Sequence, residues 1–393
     1  MGQFTDTVAG DVRDPYPELA AKRRETPAEI VTMEGFDGTQ HEACNVYPYE
    51  LVAHVLRDNN TFSNSTIREL MAVVMGPYVL VGMDEPEHRR HRNLVSQAFR
   101  HKALAAWEAD VIAPIMHELI DRFAGRSSAE LVRDYTFHFP VMVIAELLGI
   151  PHGDHELFHD MAVAVVNVAA NPERGLAASE ALRDFLSTVV EARRREPRQD
   201  VISDLVQAEL DGERLDDEEI YSFLRLLLPA GAETTYRATG NFLYGLLTNP
   251  DQLAALRADR SLMPQAVEES IRWETPLLIT SRTAIVDTEI AGVRVAAGMQ
   301  VVPQVGAANR DETRWEDPDR YDLFRPQQPH IAFGVGPHMC LGMHLARMEM
   351  GTAVSVLLDR LPDLRLDPEA FERDDPHIHG QTFRSPTSLP VIF

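Results

Sequence analysis

Apolar residues recur at helical spacing through most of the chain. In residues 49–58, for example, Leu51, Val52, Val55 and Leu56 fall on one face of a helix. The same spacing predicts further helices over residues 103–123, 135–148, 155–170, 177–195, 216–247 and 341–359. We therefore expect a mainly α-helical protein.

Strand patterns occupy shorter regions. Residues 283–305 alternate apolar and polar positions, with turns at Gly292 and Gly298, and residues 277–282 form an apolar run typical of a strand. A further small strand region follows a short helix within residues 15–42. These patterns predict small β-sheets beside the helices.

Two stretches depart from regular patterns. Residues 59–83 are partly apolar without a predicted element, which is typical of a binding-site wall or a mobile lid. Pro229 and Gly231 interrupt the helix predicted over residues 216–247, because proline lacks a backbone donor and glycine weakens a helix. Since local violations of helix rules often mark functional sites, we expect a functional kink there.

Residues 333–342 place Cys340 among Gly334, Gly336 and Gly342, which would let the loop fold tightly beside a flat ligand. Backbone amides and the start of a helix near Leu341 would lower the thiol pKa and favour the metal-binding thiolate. A buried structural cysteine would not need these glycines. A zinc site built on Cys340 and His344 lacks further ligands, because Cys44 has no ligand pattern around it.

This run resembles the haem-binding loop of the cytochrome P450 family, Phe-Gly-x-Gly-x-His-x-Cys-x-Gly, at every fixed position. The resemblance implies a P450 fold, with haem b between a long kinked distal helix and the helix after the cysteine loop. Cys340 would be the proximal iron ligand, Phe333 would pack beside the sulfur, and His338 would bind a haem propionate.

Other segments resemble family motifs in the same order. Residues 230–235 match the oxygen-binding segment, so Ala230 and Gly231 would line the haem, Thr234 would hold the bound oxygen through water, and Glu233 would supply protons. Further propionate ligands would be His88, Arg92 and Arg282. A buried ion-pair network with a structural role would consist of Glu269, Arg272 and Arg325.

The resemblance implies a monooxygenase that inserts one atom of O2 into an apolar small molecule, by hydroxylation or epoxidation. Ferredoxin and ferredoxin reductase would supply the electrons, with docking near the basic residues 89–102 and Arg347; a solvated helix face is the alternative for those cations. Alternative functions are a peroxide-driven peroxygenase, which would not need the relay of Glu233 and Thr234, and a non-catalytic haem-thiolate sensor.

The candidate substrate pocket is aliphatic and uncharged, which suggests a terpenoid, steroid or fatty-acyl substrate. Its residues would be Val73, Val74, Val163, Val165, Leu277, Leu278 and Phe383.

The composition argues against several other classes of protein. A net charge of −24 argues against nucleic-acid binding, and the longest apolar runs are too short to span a membrane. Two cysteines without a pairing pattern are typical of a reducing compartment, so we expect a cytoplasmic protein. Because no repeat or linker divides the chain, we expect one domain over residues 1–393, flexible over residues 1–14.

Overall fold

Helices dominate the computed structural model, which describes residues 11–34, 39–99, 106–168 and 171–393. The α-helices span Tyr16–Glu25, Tyr49–Arg57, Ser65–Met75, Glu87–Val95, Ala113–Asp121, Phe139–Leu147, His155–Val166, Pro172–Arg195, Val201–Gln207, Asp217–Leu228, Thr234–Leu247, Pro250–Ala258, Met263–Trp273, Val305–Ala308, Met343–Arg360 and Pro368–Asp374. Within the described ranges, π-helical turns cover Glu108–Ile112, Val132–Thr136 and Pro229–Glu233.

The strands are short and form small sheets. They are β1 Ala28–Glu34, β2 Gln40–Val46, β3 Phe62–Ser63, β4 Ser128–Glu130, β5 Glu209–Leu210, β6 Glu213–Arg214, β7 Arg282–Ala284, β8 Thr288–Ile290, β9 Val293–Val295, β10 Gln300–Pro303, β11 Arg365–Leu366, β12 Ile378–His379, β13 Ser385–Pro386 and β14 Pro390–Ile392. One five-stranded sheet has the order β1-β2-β10-β7-β3. In it β10 runs parallel to β2, with Val301 opposite Cys44, and the other pairs are antiparallel.

The helix broken at Pro229 runs through the main hydrophobic core. Its first half starts at a capping box, in which the Asp216 carboxylate accepts from the Glu219 amide and the Glu219 carboxylate accepts from the Asp216 amide. Its second half, Thr234–Leu247, packs against the helices Met263–Trp273 and Met343–Arg360. This packing fixes the positions of the central helix and of the helix that follows the cysteine loop.

The prediction of an irregular segment over residues 59–83 was wrong, because residues 65–75 form a helix. Between Ser65 and Met75 no glycine or proline interrupts the chain, and Gly76 ends the helix with a φ of +93°.

The strand predicted over residues 277–282 is also largely absent. Only Arg282 belongs to a strand, while Leu277 makes an isolated bridge to Phe383. Leu278 instead packs in a small buried cluster with Tyr16 and Ala307, which pulls this segment away from the sheet.

The expected flexible segment, residues 1–14, is only partly described, since residues 1–10 lie outside the described ranges. The backbone carbonyls of Val12 and Arg13 accept hydrogen bonds from the buried Arg384 guanidinium at 2.8 Å.

Candidate active site

The cysteine loop is a tight turn held by its own backbone. Gly334 and Gly336 have φ angles of +70° and +83°, which residues with a side chain rarely adopt. The Cys340 amide donates to the Phe333 carbonyl at 2.8 Å, and the Arg347 guanidinium lies 4.5 Å from the Phe333 ring centre. The turn therefore presents the Cys340 thiol at the N-terminal end of the helix Met343–Arg360.

The electrostatics of the thiol differ from the expectation drawn from the sequence. The Cys340 side chain has an exposed surface, yet protein surrounds its other sides, and this burial raises the pKa of the Cys340 thiol above its ordinary value. The Gly342 amide, Arg92 and Arg347 lower that pKa, but by less than burial raises it. Desolvation therefore outweighs the nearby dipoles and charges in its effect on the pKa of this thiol.

Two histidines stack beside the loop. The rings of His88 and His338 lie 3.8 Å apart between centroids, at an interplanar angle of 30°. Burial lowers the pKa of both side chains, that of His338 to about 3, and neither Nε2 atom has a hydrogen-bond partner among the described residues. These two buried nitrogens are available to a ligand.

Two arginines extend this basic cluster, which we call the cradle: His88, Arg92, Arg282 and His338. Arg282 is buried, donates from Nη1 to the Ser281 carbonyl at 2.7 Å, and leaves Nε without a partner in the described part of the chain. Burial lowers the pKa of Arg282 to about 10. Arg92 Nη2 donates to the Met339 carbonyl at 2.5 Å, next to the cysteine. The cradle is thus suited to anionic groups.

The break in the central helix is a π-helical turn over Pro229–Glu233. Such turns widen a helix and frequently occur at functional sites. Ala230 is exposed, and a Cβ at Gly231 would lie 3.2 Å from Ile144 Cδ1. The Thr234 hydroxyl donates to the Ala230 carbonyl at 2.8 Å.

Glu233 points toward a partner that the sequence analysis did not identify. Its Oε1 accepts from Arg237 Nη2 at 3.2 Å, and both side chains are buried. Arg237 also donates to Ser385 Oγ at 2.7 Å and lies 5.6 Å from the Phe383 ring centre. The spacing of four residues between Glu233 and Arg237 on a helix was the available signal.

The family model described as Cytochrome P450 matches residues 168–374, more than half of the chain. The chain belongs to the cytochrome P450 family.

Relatives and solved P450 structures agree over nearly the whole length. The vitamin D3 dihydroxylase of Streptomyces griseolus is 36% identical over 363 residues, which cover 90% of this chain and 88% of the relative. The mycinamicin IV hydroxylase/epoxidase of Micromonospora griseorubida is 37% identical, with 90% of each chain covered. CYP109E1 of Bacillus megaterium, solved with testosterone, is 30% identical, with a TM-score of 0.86 over 96% of this chain and 99% of that one.

The protein is therefore a haem-thiolate monooxygenase that uses O2 on a small molecule, as its P450 relatives do. Its mainly helical fold with small sheets is the P450 fold, as the sequence predicted.

The residues around Cys340 fit a haem. Cys340 keeps an exposed surface, and a Cβ built on Gly342 would meet no atom within 4 Å, so a planar ring can approach the sulfur from that side. The unpartnered nitrogens of His88, His338 and Arg282 can donate hydrogen bonds to the carboxylates of two propionates, and the Arg282 guanidinium also supplies a positive charge.

The structure also brings Glu269, Arg272 and Arg325 together. Arg272 donates to both Glu269 oxygens at 2.7 and 2.8 Å, and Arg325 Nε donates to Oε1 at 3.0 Å. Arg272 continues to the Asn309 carbonyl at 3.0 Å, and the Asn309 side chain accepts from the Ile331 amide at 2.9 Å. This network therefore reaches the cysteine loop two residues before Phe333.

The residues proposed for the substrate pocket do not form one surface. Val73 is 73% exposed, Val165 lies in the main core, and Leu278 packs against the N-terminal helix, so these three do not line a common wall. The reason is that apolar character alone does not tell which side of an element faces a cavity. Val163 packs with Phe137 and Tyr236, and the remaining candidates, Val74, Leu277 and Phe383, are half-buried.

Part of the predicted docking patch lies outside the described residues, namely Arg100 and Lys102. Within the described part, Arg89 is 72% exposed and pairs with Glu85, whereas Arg90 pairs with Glu213 and Glu219. Arg347 pairs with Glu268 at 2.5 Å. Among the described residues, no helix has the length and apolar character needed to cross a membrane.

Proposed function

We propose that this P450 hydroxylates or epoxidises an apolar small molecule, using haem b and electrons from a ferredoxin and its reductase. The observation that supports this most is the exposed Cys340 residue beside the cradle of four basic side chains, three of which have an unpartnered nitrogen among the described residues. The chain would act as one domain in the cytoplasm, which agrees with its two cysteines and acidic composition.

In this proposal each loop residue has a distinct task. Cys340 would ligate the iron, Phe333 would shield the sulfur, and Gly334 and Gly342 would leave room for the turn and the ring. His88, Arg92, Arg282 and His338 would bind the propionates. The bound haem would supply O2 activation, which a thiolate ligand favours by donating electron density to iron.

Glu233 and Thr234 would handle protons on the distal side, where Ala230 and Gly231 would adjoin the ring. Thr234 already has its hydroxyl proton directed to the Ala230 carbonyl, so its oxygen can accept a hydrogen bond from a water. Glu233 is paired with Arg237, so its carboxylate would have to leave that partner to reach the site. Both residues would thus control proton delivery rather than form bonds to substrate.

Two named relatives support a proposal for the substrate class. One relative is named a vitamin D3 dihydroxylase, and a neighbour was solved with testosterone. We propose a substrate of similar character, with a steroid, terpenoid or fatty-acyl skeleton.

The reduced, carbon-monoxide-treated protein tests the haem assignment. We expect the red-shifted Soret band of a thiolate-ligated haem in the wild type and its loss in Cys340→Ser. The buried Cys44→Ser variant is the control and should keep the band. An unchanged band in Cys340→Ser would disprove the ligand.

Turnover with a surrogate ferredoxin, its reductase and NADH tests the reaction. Product from this system supports the monooxygenase. Product with hydrogen peroxide but not with the electron-transfer pair would favour the peroxygenase, and a spectral change without product would favour the sensor.

Charge reversal tests the partner. We expect Arg100→Glu combined with Lys102→Glu to slow electron transfer at low salt, and the difference to shrink as salt screens the charges. Arg126→Glu, outside the patch and half-exposed at its side chain, is the control. Equal rates in all three proteins would exclude docking at residues 89–102.

A further inference from the structure

Arg225 is a buried cation on the central helix. It lies one turn before the π-helical turn Pro229–Glu233 and is 6% exposed. Its Nη1 reaches Ser179 Oγ, on the helix Pro172–Arg195, at 3.5 Å. The guanidinium therefore lies between the central helix and the helix Pro172–Arg195.

The backbone near Arg225 is shaped around its side chain. Gly76, at the end of the helix Ser65–Met75, has a φ of +93°, and a Cβ there would collide with Arg225 Nη2 and lie 2.6 Å from Ser222 Oγ. Ser179 donates in turn to the Val74 carbonyl. Three helices thus meet at the Arg225 guanidinium, and the absence of a side chain at Gly76 leaves room for it.

The charge of Arg225 is poorly compensated. A guanidinium has five N–H donors, yet within the described part of the chain Arg225 makes two long hydrogen bonds, to the Tyr221 carbonyl at 3.3 Å and to Ser179 Oγ at 3.5 Å. No carboxylate among the described residues lies within ion-pair distance of it. Burial lowers the pKa of Arg225, and Glu218, which raises it, is itself paired with Arg183. A buried charge without a partner is destabilising, so an anion is expected to bind it.

We propose that Arg225 binds a carboxylate of the substrate, which makes the substrate an apolar carboxylic acid. A guanidinium suits this group because its parallel N–H donors fork onto two carboxylate oxygens. The inference rests on the proposed function, since it refines the substrate class of the same monooxygenase. It also changes the expectation of an uncharged pocket.

The position of Arg225 determines how such a substrate would lie. Arg225 precedes Ala230 and Gly231 by five and six residues, which is about 8 Å along a helix. The acid would be held at that distance along the helix from the oxygen-binding turn. Oxidation would then fall on the apolar part of the molecule rather than next to the carboxylate.

Titration of the haem Soret band with matched acids and methyl esters tests the proposal. The probes are dodecanoic, lithocholic and abietic acids and their esters. We expect at least one acid to bind the wild type at least tenfold more tightly than its ester, and Arg225→Gln to remove that preference while keeping ester affinity. Arg194→Gln, an exposed arginine on the helix Pro172–Arg195, is the matched control and should keep the preference.

Thermal unfolding of the ligand-free holoprotein provides a second test that needs no substrate. Replacing an uncompensated buried charge by an apolar side chain of similar length should stabilise the fold, so Arg225→Met should raise Tm by about 1 to 3 °C. A lower Tm would show that Arg225 serves the fold, and would overturn the proposal.

The absence of any acid preference across the three probe pairs, or a preference that survives in Arg225→Gln, would also overturn it. In either case an intact Soret band of the carbon monoxide complex and intact turnover would leave the monooxygenase assignment standing, so the two failures are distinguishable.

Discussion

Thr234 and Thr239 make the same local hydrogen bond on the same helix. Each hydroxyl donates to the carbonyl four residues earlier, at 2.8 Å. Thr239 is fully buried, whereas Thr234 is half-buried and adjoins the π-helical turn. Their difference therefore lies in position and not in local bonding, which makes Thr239 a matched control.

We expect Thr234→Ala to lower product and raise hydrogen peroxide release several-fold per NADH consumed, because the hydroxyl that orders water at the turn is lost. Thr239→Ala should leave this coupling unchanged. The two products are measured in the same turnover assay, and equal coupling in both variants would remove Thr234 from the relay.

At the scale of elements, the cysteine loop depends on glycine for two separate reasons. Gly336 has a φ of +83°, and a Cβ there would lie 3.0 Å from the Arg57 Cα and the Leu56 carbonyl oxygen. Gly298 has a similar φ of +88°, but nothing lies within 4 Å of its Cβ position. A side chain at Gly298 would therefore strain only the backbone, whereas one at Gly336 would also collide with neighbouring backbone atoms.

Gly336→Ala should therefore reduce the free energy of unfolding by roughly 2 to 4 kcal/mol, while Gly298→Ala costs only the strain of about 1 kcal/mol. Gly336→Ala should also retain less haem, because backbone atoms cannot give way as flexible side chains do. Denaturant unfolding and the ratio of Soret to protein absorbance measure these effects. Equal losses in the two variants would contradict the collision.

A pair of half-buried histidines links two helices. His138 precedes the helix Phe139–Leu147, His159 lies on His155–Val166, and their Nδ1 and Nε2 atoms are 3.4 Å apart. Burial lowers the pKa of His138 to about 4 and also lowers the pKa of His159. Because unfolded histidine titrates near pH ~6.5, the unfolded state binds more protons below that pH. The contribution of the neutral pair to the free energy of unfolding is therefore fully present above pH ~6.5 and is lost as the pH falls toward about 4.

We expect the wild type to lose roughly 1 to 2 kcal/mol more unfolding free energy than His138→Phe between about pH 7 and about pH 5. Chemical denaturation at each pH gives the values. His152→Phe, at a site 85% exposed, should follow the wild type. Parallel curves for wild type and His138→Phe would show that the pair does not resist protonation.

At the scale of the whole molecule, a buried ion-pair network connects the helix Met263–Trp273 to the cysteine loop. Glu269 accepts from Arg272, Arg325 and the Asp322 amide, and Arg272 reaches the Asn309 carbonyl. Removing one partner of such a network leaves buried charges uncompensated.

Glu269→Gln should cost about 3 to 5 kcal/mol of unfolding free energy and lower haem retention. Glu118→Gln, which breaks an exposed pair with Arg122 at 2.7 Å, should change stability by at most about 0.5 kcal/mol. Denaturant unfolding midpoints of the two variants measure both changes in stability. A loss in Glu269→Gln no larger than in Glu118→Gln would mean that the network does not stabilise the fold.

The sequence alone determined the family, the helical class and the cysteine loop. The family, the helical class and the cysteine loop depend on residues close together in the chain. The spacing of the glycines around Cys340, for example, indicates the loop without knowledge of any distant residue. The helix break at Pro229 was likewise predictable, because proline removes its own backbone donor.

Only the tertiary structure decided which side chains meet. Arg237 contacts Ser385, 148 residues away, and Leu278 turns from the expected pocket to the N-terminal helix. The raised pKa of Cys340 and the uncompensated charge of Arg225 have the same origin, since burial by distant elements sets the cost of a charge. Sequence patterns identify residues with chemical capacity, whereas packing decides which of them are desolvated and which find a partner.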